Sequence, residues 1–204
     1  IGFEDNSVII SFGELAFSGC QNLISIVIPD SLNIIYDKAF LGCYNLEYIY
    51  IGENTSLVLV GNDALGDTKW FNNMMQEEFI CLGNVLIAYN PQVDDLYIFI
   101  PDNIISIADN AFNLNSFDCS NLQTVTFSVD SELIYAGKYI FGGCNQLKNI
   151  VVLSVQKVEF EPESLLLLPT ECLLTVPAAL YNDYNSDTNI NSIFSQELNN
   201  LIEY

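Results

Sequence analysis

The 204-residue sequence predicts an α/β repeat: a solenoid of stacked coils, each adding one short strand to a parallel sheet. Three recurring patterns predict it. A cysteine-centred motif returns at Gly19-Cys20-Gln21-Asn22-Leu23, Gly42-Cys43-Tyr44-Asn45-Leu46, Cys119-Ser120-Asn121-Leu122 and Gly143-Cys144-Asn145-Gln146-Leu147. Cys43 follows Cys20 by 23 residues, and Cys144 follows Cys119 by 25. A short alternating apolar run comes after each motif. A third pattern, two apolar residues three apart and then Ala-Phe or a close equivalent, starts at residues 9, 32, 57, 104 and 133.

The apolar runs read as strands because their side chains alternate with period two. They are Ile26-Val27-Ile28, Ile49-Tyr50-Ile51, Ile98-Phe99-Ile100, Val125-Thr126-Phe127, Ile150-Val151-Val152 and Leu174-Thr175-Val176. Pro29, Pro101 and Pro177 close three of them, where the chain must turn. The step from Ile49 to Ile98 is about two periods, which predicts one altered repeat between residues 52 and 97. The Ala-Phe segments (Ala16-Phe17, Ala39-Phe40, Ala64-Leu65, Ala111-Phe112 and Ile140-Phe141) predict one or two helical turns with the apolar pair pointing inward.

No coil buries its apolar side alone, so stacking is obligatory. Leu23, Ile26 and Ile28 are expected to pack on Leu46, Ile49 and Ile51, with strands about 4.8 Å apart. Each inward residue contributes about 1.5–3 kcal/mol, so Ile49→Ala is expected to cost more than changing an outward neighbour. Six cysteines at 20, 43, 81, 119, 144 and 172 are expected to share one place in the stack as small apolar fillers. Disulfides and metal ligation are the alternatives.

Charge narrows the function. Five Lys and Arg against 26 Asp and Glu give a net −21, which opposes binding to nucleic acid or to anionic membrane surfaces. With no histidine, Ser-His-Asp and Cys-His catalysis and imidazole metal sites are excluded within the chain. No apolar run reaches the roughly 18 residues of a membrane span. The first residues, from Ile1, show neither the basic nor the apolar region of a signal peptide, as expected of a mature or trimmed chain.

From Ala16-Phe17-Ser18-Gly19-Cys20-Gln21-Asn22-Leu23-Ile24-Ser25-Ile26-Val27-Ile28-Pro29, and on to Leu32, Ile35, Ala39 and Phe40, the sequence resembles BspA-type leucine-rich repeat proteins. Gly66-Asp67-Thr68-Lys69-Trp70-Phe71 followed by Leu82-Gly83-Asn84-Val85-Leu86-Ile87-Ala88-Tyr89 resembles an interrupted repeat of that family, in which a hairpin replaces the standard strand. Cys172-Leu173-Leu174-Thr175-Val176-Pro177 with Ala179, Leu180, Tyr181 and Tyr184 resembles its closing strand and capping helix. Three places depart from the pattern: the extra residues Asn113 to Asp118, Ile140-Phe141 in place of Ala-Phe, and the degenerate copy through Glu161-Pro162-Glu163. The resemblance implies a right-handed leucine-rich-repeat solenoid over residues 1–177, irregular at about 66–97, and a C-terminal capping helix or tail at 178–204. It also implies surface display or secretion from a bacterium, contacts with a protein or glycan, and no catalytic residues.

The outward positions form two rows: Ser25, Tyr48, Tyr97, Thr124, Asn149, Leu173 and Val27, Tyr50, Phe99, Thr126, Val151, Thr175. Tyr48, Tyr50, Tyr97 and Phe99 are the candidate binding residues, because aromatic side chains dominate interfaces and stack on sugar rings. The alternative is that they cover the sheet or pack under the Trp70–Tyr89 insertion. Asp183, Asn185, Asp187 and Asn189 alternate like the start of a calcium loop, but Thr188 stands at the turn glycine and Phe194 at the closing glutamate, so a polar loop is expected. Glu159, Glu161 and Glu163 would share a face, either as a cation site or as an acidic solvated edge. No carboxylate pair suited to glycoside hydrolysis stands out, and Lys69 and Lys138 lack a phosphate-loop context. Neither cofactor nor metal is expected. The expectation is a monomeric, non-catalytic binding module for adhesion or protein–protein contact. A glycan-binding module and a structural spacer within a larger surface protein are the alternatives.

Overall fold

The computed structural model describes residues 2–3, 8–92, 95–113, 117–188 and 190. It is a parallel β-solenoid. The six expected strands form its front: β2 (Ser25–Ile28), β4 (Tyr48–Ile51), β8 (Tyr97–Ile100), β10 (Thr124–Phe127), β12 (Asn149–Val152) and β14 (Leu173–Thr175). Ile26 pairs with Ile49 in one sheet, and Ile98, Val125, Ile150 and Leu174 lie in line in another. A second series of two-residue strands runs along the rear in two ladders, one of β1 (Ser11–Phe12), β3 (Ile34–Ile35) and β5 (Leu59–Val60) and one that includes β9 (Ser106–Ile107), β11 (Tyr135–Ala136) and β13 (Glu159–Phe160). The solenoid therefore carries parallel pairing on two faces, not one. Pairing continues past the two-residue strands, since the Gly61 N–H donates to Ile35 O and the Gly137 N–H to Ile107 O.

The expected helical turns are instead hydrogen-bonded turns. Three of them end on a residue in the left-handed region, Gly19, Gly42 or Leu167, and each contains an earlier one, at Leu15, Lys38, Asp63, Asn110, Tyr139 and Glu163, with φ between 52° and 79°. That residue directly precedes Ala16, Ala39, Ala64, Ala111, Ile140 or Ser164, and it interrupts the right-handed backbone a helix needs. It also turns N–H groups toward the next coil: the Lys38 N–H donates to Asn62 O, Phe40 to Ala64 O, Asn110 to Lys138 O and Phe112 to Ile140 O. The apolar pair after it is buried at Ala39-Phe40, Ala64-Leu65, Ala111-Phe112 and Ile140-Phe141, but Ala16 is exposed and Phe17 half-buried in the first described coil.

Part of the acidic excess is structural. The Asp37 carboxylate accepts the Asn62 N–H at 3.1 Å, and the Asp109 carboxylate accepts the Lys138 N–H at 2.7 Å, each from the neighbouring coil. This approach needs glycine. A Cβ on Gly61 would lie 2.3 Å from Asp37 Oδ1, and one on Gly137 would lie 2.4 Å from Asp109 Oδ1.

The altered repeat contains the hairpin that the family resemblance implies, β6 (Phe79–Leu82) with β7 (Val85–Tyr89), preceded by a short helix α1 (Lys69–Asn73) that the sequence reading does not include. Thr68 caps α1, its hydroxyl accepting the Phe71 N–H. Every residue of β7 is buried. Val85, Ile87 and Ala88 complete the core of the first coils, while Leu86 and Tyr89 complete that of the later ones, so this strand is the wall between two hydrophobic cores. At the rear the coils on either side of it touch, with the Asp109 N–H donating to Val60 O. At the front they do not pair, and the sheet is split into β2–β4 and β8–β10–β12–β14.

The split corrects two expectations. Ile49 and Ile51 are only half-buried, whereas the inward residues of the other front strands are buried, including those of β2, β8 and β14, which also pair on one side alone. The cysteines also differ in place. Cys43, Cys119 and Cys144 are buried stack residues, but Cys20 is exposed in the first described coil and Cys81 lies half-buried in β6. Cys172 is buried yet stands where Leu122 and Leu147 stand elsewhere. Its N–H donates to Pro169 O, as theirs donate to Cys119 O and Cys144 O.

Beyond β14, a single 3-10 turn (Ala178–Leu180) leads into α2 (Tyr181–Asn185). Tyr184 is buried against Phe160, and its hydroxyl accepts the Val158 N–H at 2.8 Å. Lys157 pairs with Asp187 at 3.0 Å and lies 5.9 Å from the Tyr184 ring centre.

Candidate binding surface

Alternation on β4 and β8 turns Tyr48, Tyr50, Tyr97 and Phe99 away from the core. They are 48%, 56%, 66% and 68% exposed, the two on β8 more than the two on β4. Tyr48 and Tyr50 lie nearly parallel, with ring centres 6.4 Å apart and planes 13° apart. Val27, opposite Tyr50 in the register, and Ile24 extend the apolar surface on one side. The front split separates the four: Tyr48 and Tyr50 sit on the last strand of one sheet, and Tyr97 and Phe99 on the first strand of the next. The outward rows are thus two segments each, not continuous ladders. Thr126, expected outward and solvated, is buried.

Backbone geometry holds the first pair in place. Around it, the Trp70 N–H donates to Leu46 O at 2.7 Å, Lys69 pairs with Glu47 at 2.9 Å, and the hairpin turn at Gly83 packs near the Ile51 side chain. On the second strand, Ile98 and Ile100 anchor the backbone from the core.

A further feature on the same face has no counterpart in the sequence reading. Val151, Leu153, Thr175, Pro177, Ala178 and Ala179 line an open groove of about 740 Å³. The outward rows name Val151 and Thr175, but only the path of residues 177–179 across the sheet end makes a concavity there.

The acidic candidates do not converge. Glu159 lies 3.9 Å from Lys157, Glu161 bonds the Tyr135 hydroxyl, and Glu163 pairs with Lys138 at 3.9 Å. In the calcium-like loop, Asp187 is engaged by Lys157, while Asn189 and Phe194 lie outside the described residues. Among the described residues, no three of Cys, Asp and Glu are placed to share a metal ion. Among them, too, no helix is long and apolar enough to cross a membrane.

A BspA type leucine rich repeat region, in six copies, matches residues 3–115 and 94–162. The chain belongs to the BspA-type leucine-rich repeat family. None of the curated proteins matches the chain. Among solved structures it is similar to a leucine-rich repeat protein of T. pallidum, at 22% identity over 74% of this chain and 66% of that one, with a TM-score of 0.35. It is also similar to the pneumococcal vaccine antigen PcpA, at 13% identity over 85% and 65% of the two chains, with a TM-score of 0.25. A third is a leucine-rich cell surface protein of Faecalibacterium prausnitzii, at 14% identity over 98% and 70%, with a TM-score of 0.23. The chain thus spans just under two thirds of the first two of these proteins.

Proposed function

We propose that this BspA-type chain is the non-catalytic binding module of a bacterial surface or secreted protein, and that its front face contacts a partner protein or a glycan. The exposure of Tyr48, Tyr50, Tyr97 and Phe99 on the two strands flanking the split carries this reading. Large aromatic rings held outward by a rigid sheet lose little conformational entropy on binding, and they offer flat faces to sugar rings or to apolar side chains. The net charge of −21 opposes nucleic acid and anionic membranes as partners. In this reading residues 1–177 form the solenoid, 178–204 close its end, the module acts as a monomer, and it needs no cofactor. The experiment is a glycan array and pull-down with wild type and Tyr50→Ala. Binding that is lost in Tyr50→Ala at an unchanged melting temperature supports the reading. Silence of the wild type in every assay makes the chain a structural spacer, and loss of folding in Tyr50→Ala makes the ring a covering residue.

A further inference from the structure

The fourth coil differs from the three coils that carry the Phe-x-x-Cys spacing in how it closes its turn. In three coils the cysteine N–H donates to the carbonyl of the preceding Phe, from Cys20 to Phe17, Cys43 to Phe40 and Cys144 to Phe141. In the fourth, residues 113–118 intervene between Phe112 and Cys119, so that backbone bond is lost. The Cys119 thiol takes its place and donates to Phe112 O at 2.7 Å. This draws Cys119 Sγ to 2.7 Å from Sγ of Cys144 in the next coil, with both residues buried and unpaired by any disulfide. The register of β10 and β12 stacks the two positions directly, since Cys119 precedes Val125 by as many residues as Cys144 precedes its partner Ile150. The earlier pair contrasts with this one. Cys43 Sγ bonds Phe17 O at 3.0 Å, and Cys20 is exposed.

We infer that Cys119 and Cys144 are a disulfide-forming pair that clasps the fourth coil to the fifth at the downstream root of the 113–118 insertion. Closure joins the two sulfurs and releases two protons and two electrons. A small-molecule disulfide such as oxidised glutathione takes these up and leaves as two thiols. Burial holds the Cys144 thiol well above the ordinary thiol range, so the closed form arises during folding in an oxidising medium and not by attack on the folded chain. The inference stands on the coil geometry and does not depend on the proposed binding role.

The test is to refold the full chain carrying Cys20→Ser, which removes the exposed thiol, in a reduced and oxidised glutathione mixture, and to map disulfides by mass spectrometry without reduction. The expected result is one cross-linked peptide joining residues 119 and 144, with the mass of two hydrogens lost. The linked form should melt roughly 5–10 °C above the reduced form, because the bond constrains the unfolded chain. Adding Cys144→Ser should abolish the mass loss, and Cys172→Ser should leave it. Folded protein with all thiols free after oxidative refolding, or a link from Cys144 to Cys172 instead, overturns the inference.

Discussion

Truncating the same residue type at two equivalent front positions tests the split in the sheet. Ile150 is fully buried, with Val125 and Leu174 in register on either side. Ile150→Ala removes buried side-chain carbons and leaves a cavity between two strands that cannot close on it, a cost of about 3–4 kcal/mol. Ile49 is half-buried and has Ile26 on one side only, so Ile49→Ala loses about half the transfer energy and opens no enclosed void, a cost of about 1–2 kcal/mol. Urea unfolding followed by far-ultraviolet circular dichroism reads the two midpoints against wild type. Slopes are compared first, because a repeat array need not unfold in one step. Equal losses at the two sites, or a larger loss at Ile49, would refute the reasoning that Ile49 stands at an open side of the core while Ile150 is enclosed.

The inter-coil carboxylates yield two further predictions. Gly137→Ala places a Cβ against Asp109 Oδ1 and against the backbone at Asp109 N and Ile107 O, so the thermal midpoint should fall by an amount matching about 2–3 kcal/mol; an unchanged midpoint counts against this contact. Burial raises the Asp109 carboxyl above the ordinary range, the Lys138 N–H opposes this, and Asp37 adds to it. The folded chain therefore holds that proton more tightly than the unfolded chain does, and stability falls as pH rises from about 4 through the folded-state value. Asp109→Asn, whose side-chain oxygen still accepts the Lys138 N–H, should flatten that decline in urea midpoints measured from about pH 4 to 7; parallel curves for variant and wild type would contradict it.

Much of the solenoid was legible because stacking writes itself into sequence. An inward residue such as Ile26, Val125 or Ile150 recurs once per coil, and Asn or Gln, Leu and Ile follow Cys at nearly constant spacing. The candidate aromatics were legible for the same reason, since alternation alone sends Tyr48 and Tyr97 outward. The turn conformation was not. Leu15, Lys38 and Tyr139 are not residues that favour the left-handed region, and they adopt it where their own N–H groups, and those of Phe17, Phe40 and Ile140 after them, gain partners in the next coil. The groove at Val151 and Ala179 was hidden because it is made by the path of the chain across the sheet end.

The sequence by itself determined the repeat and its strands through local periodicity, and through its motifs the family, a resemblance that also implied the hairpin in the altered coil. Tertiary structure decided the rest. It split the front sheet at β4, made β7 a wall between two cores, and placed Cys119 against Cys144 while leaving Cys20 exposed. These outcomes depend on which coil stands beside which, and equivalent residues acquire different surroundings whenever an insertion changes the neighbour.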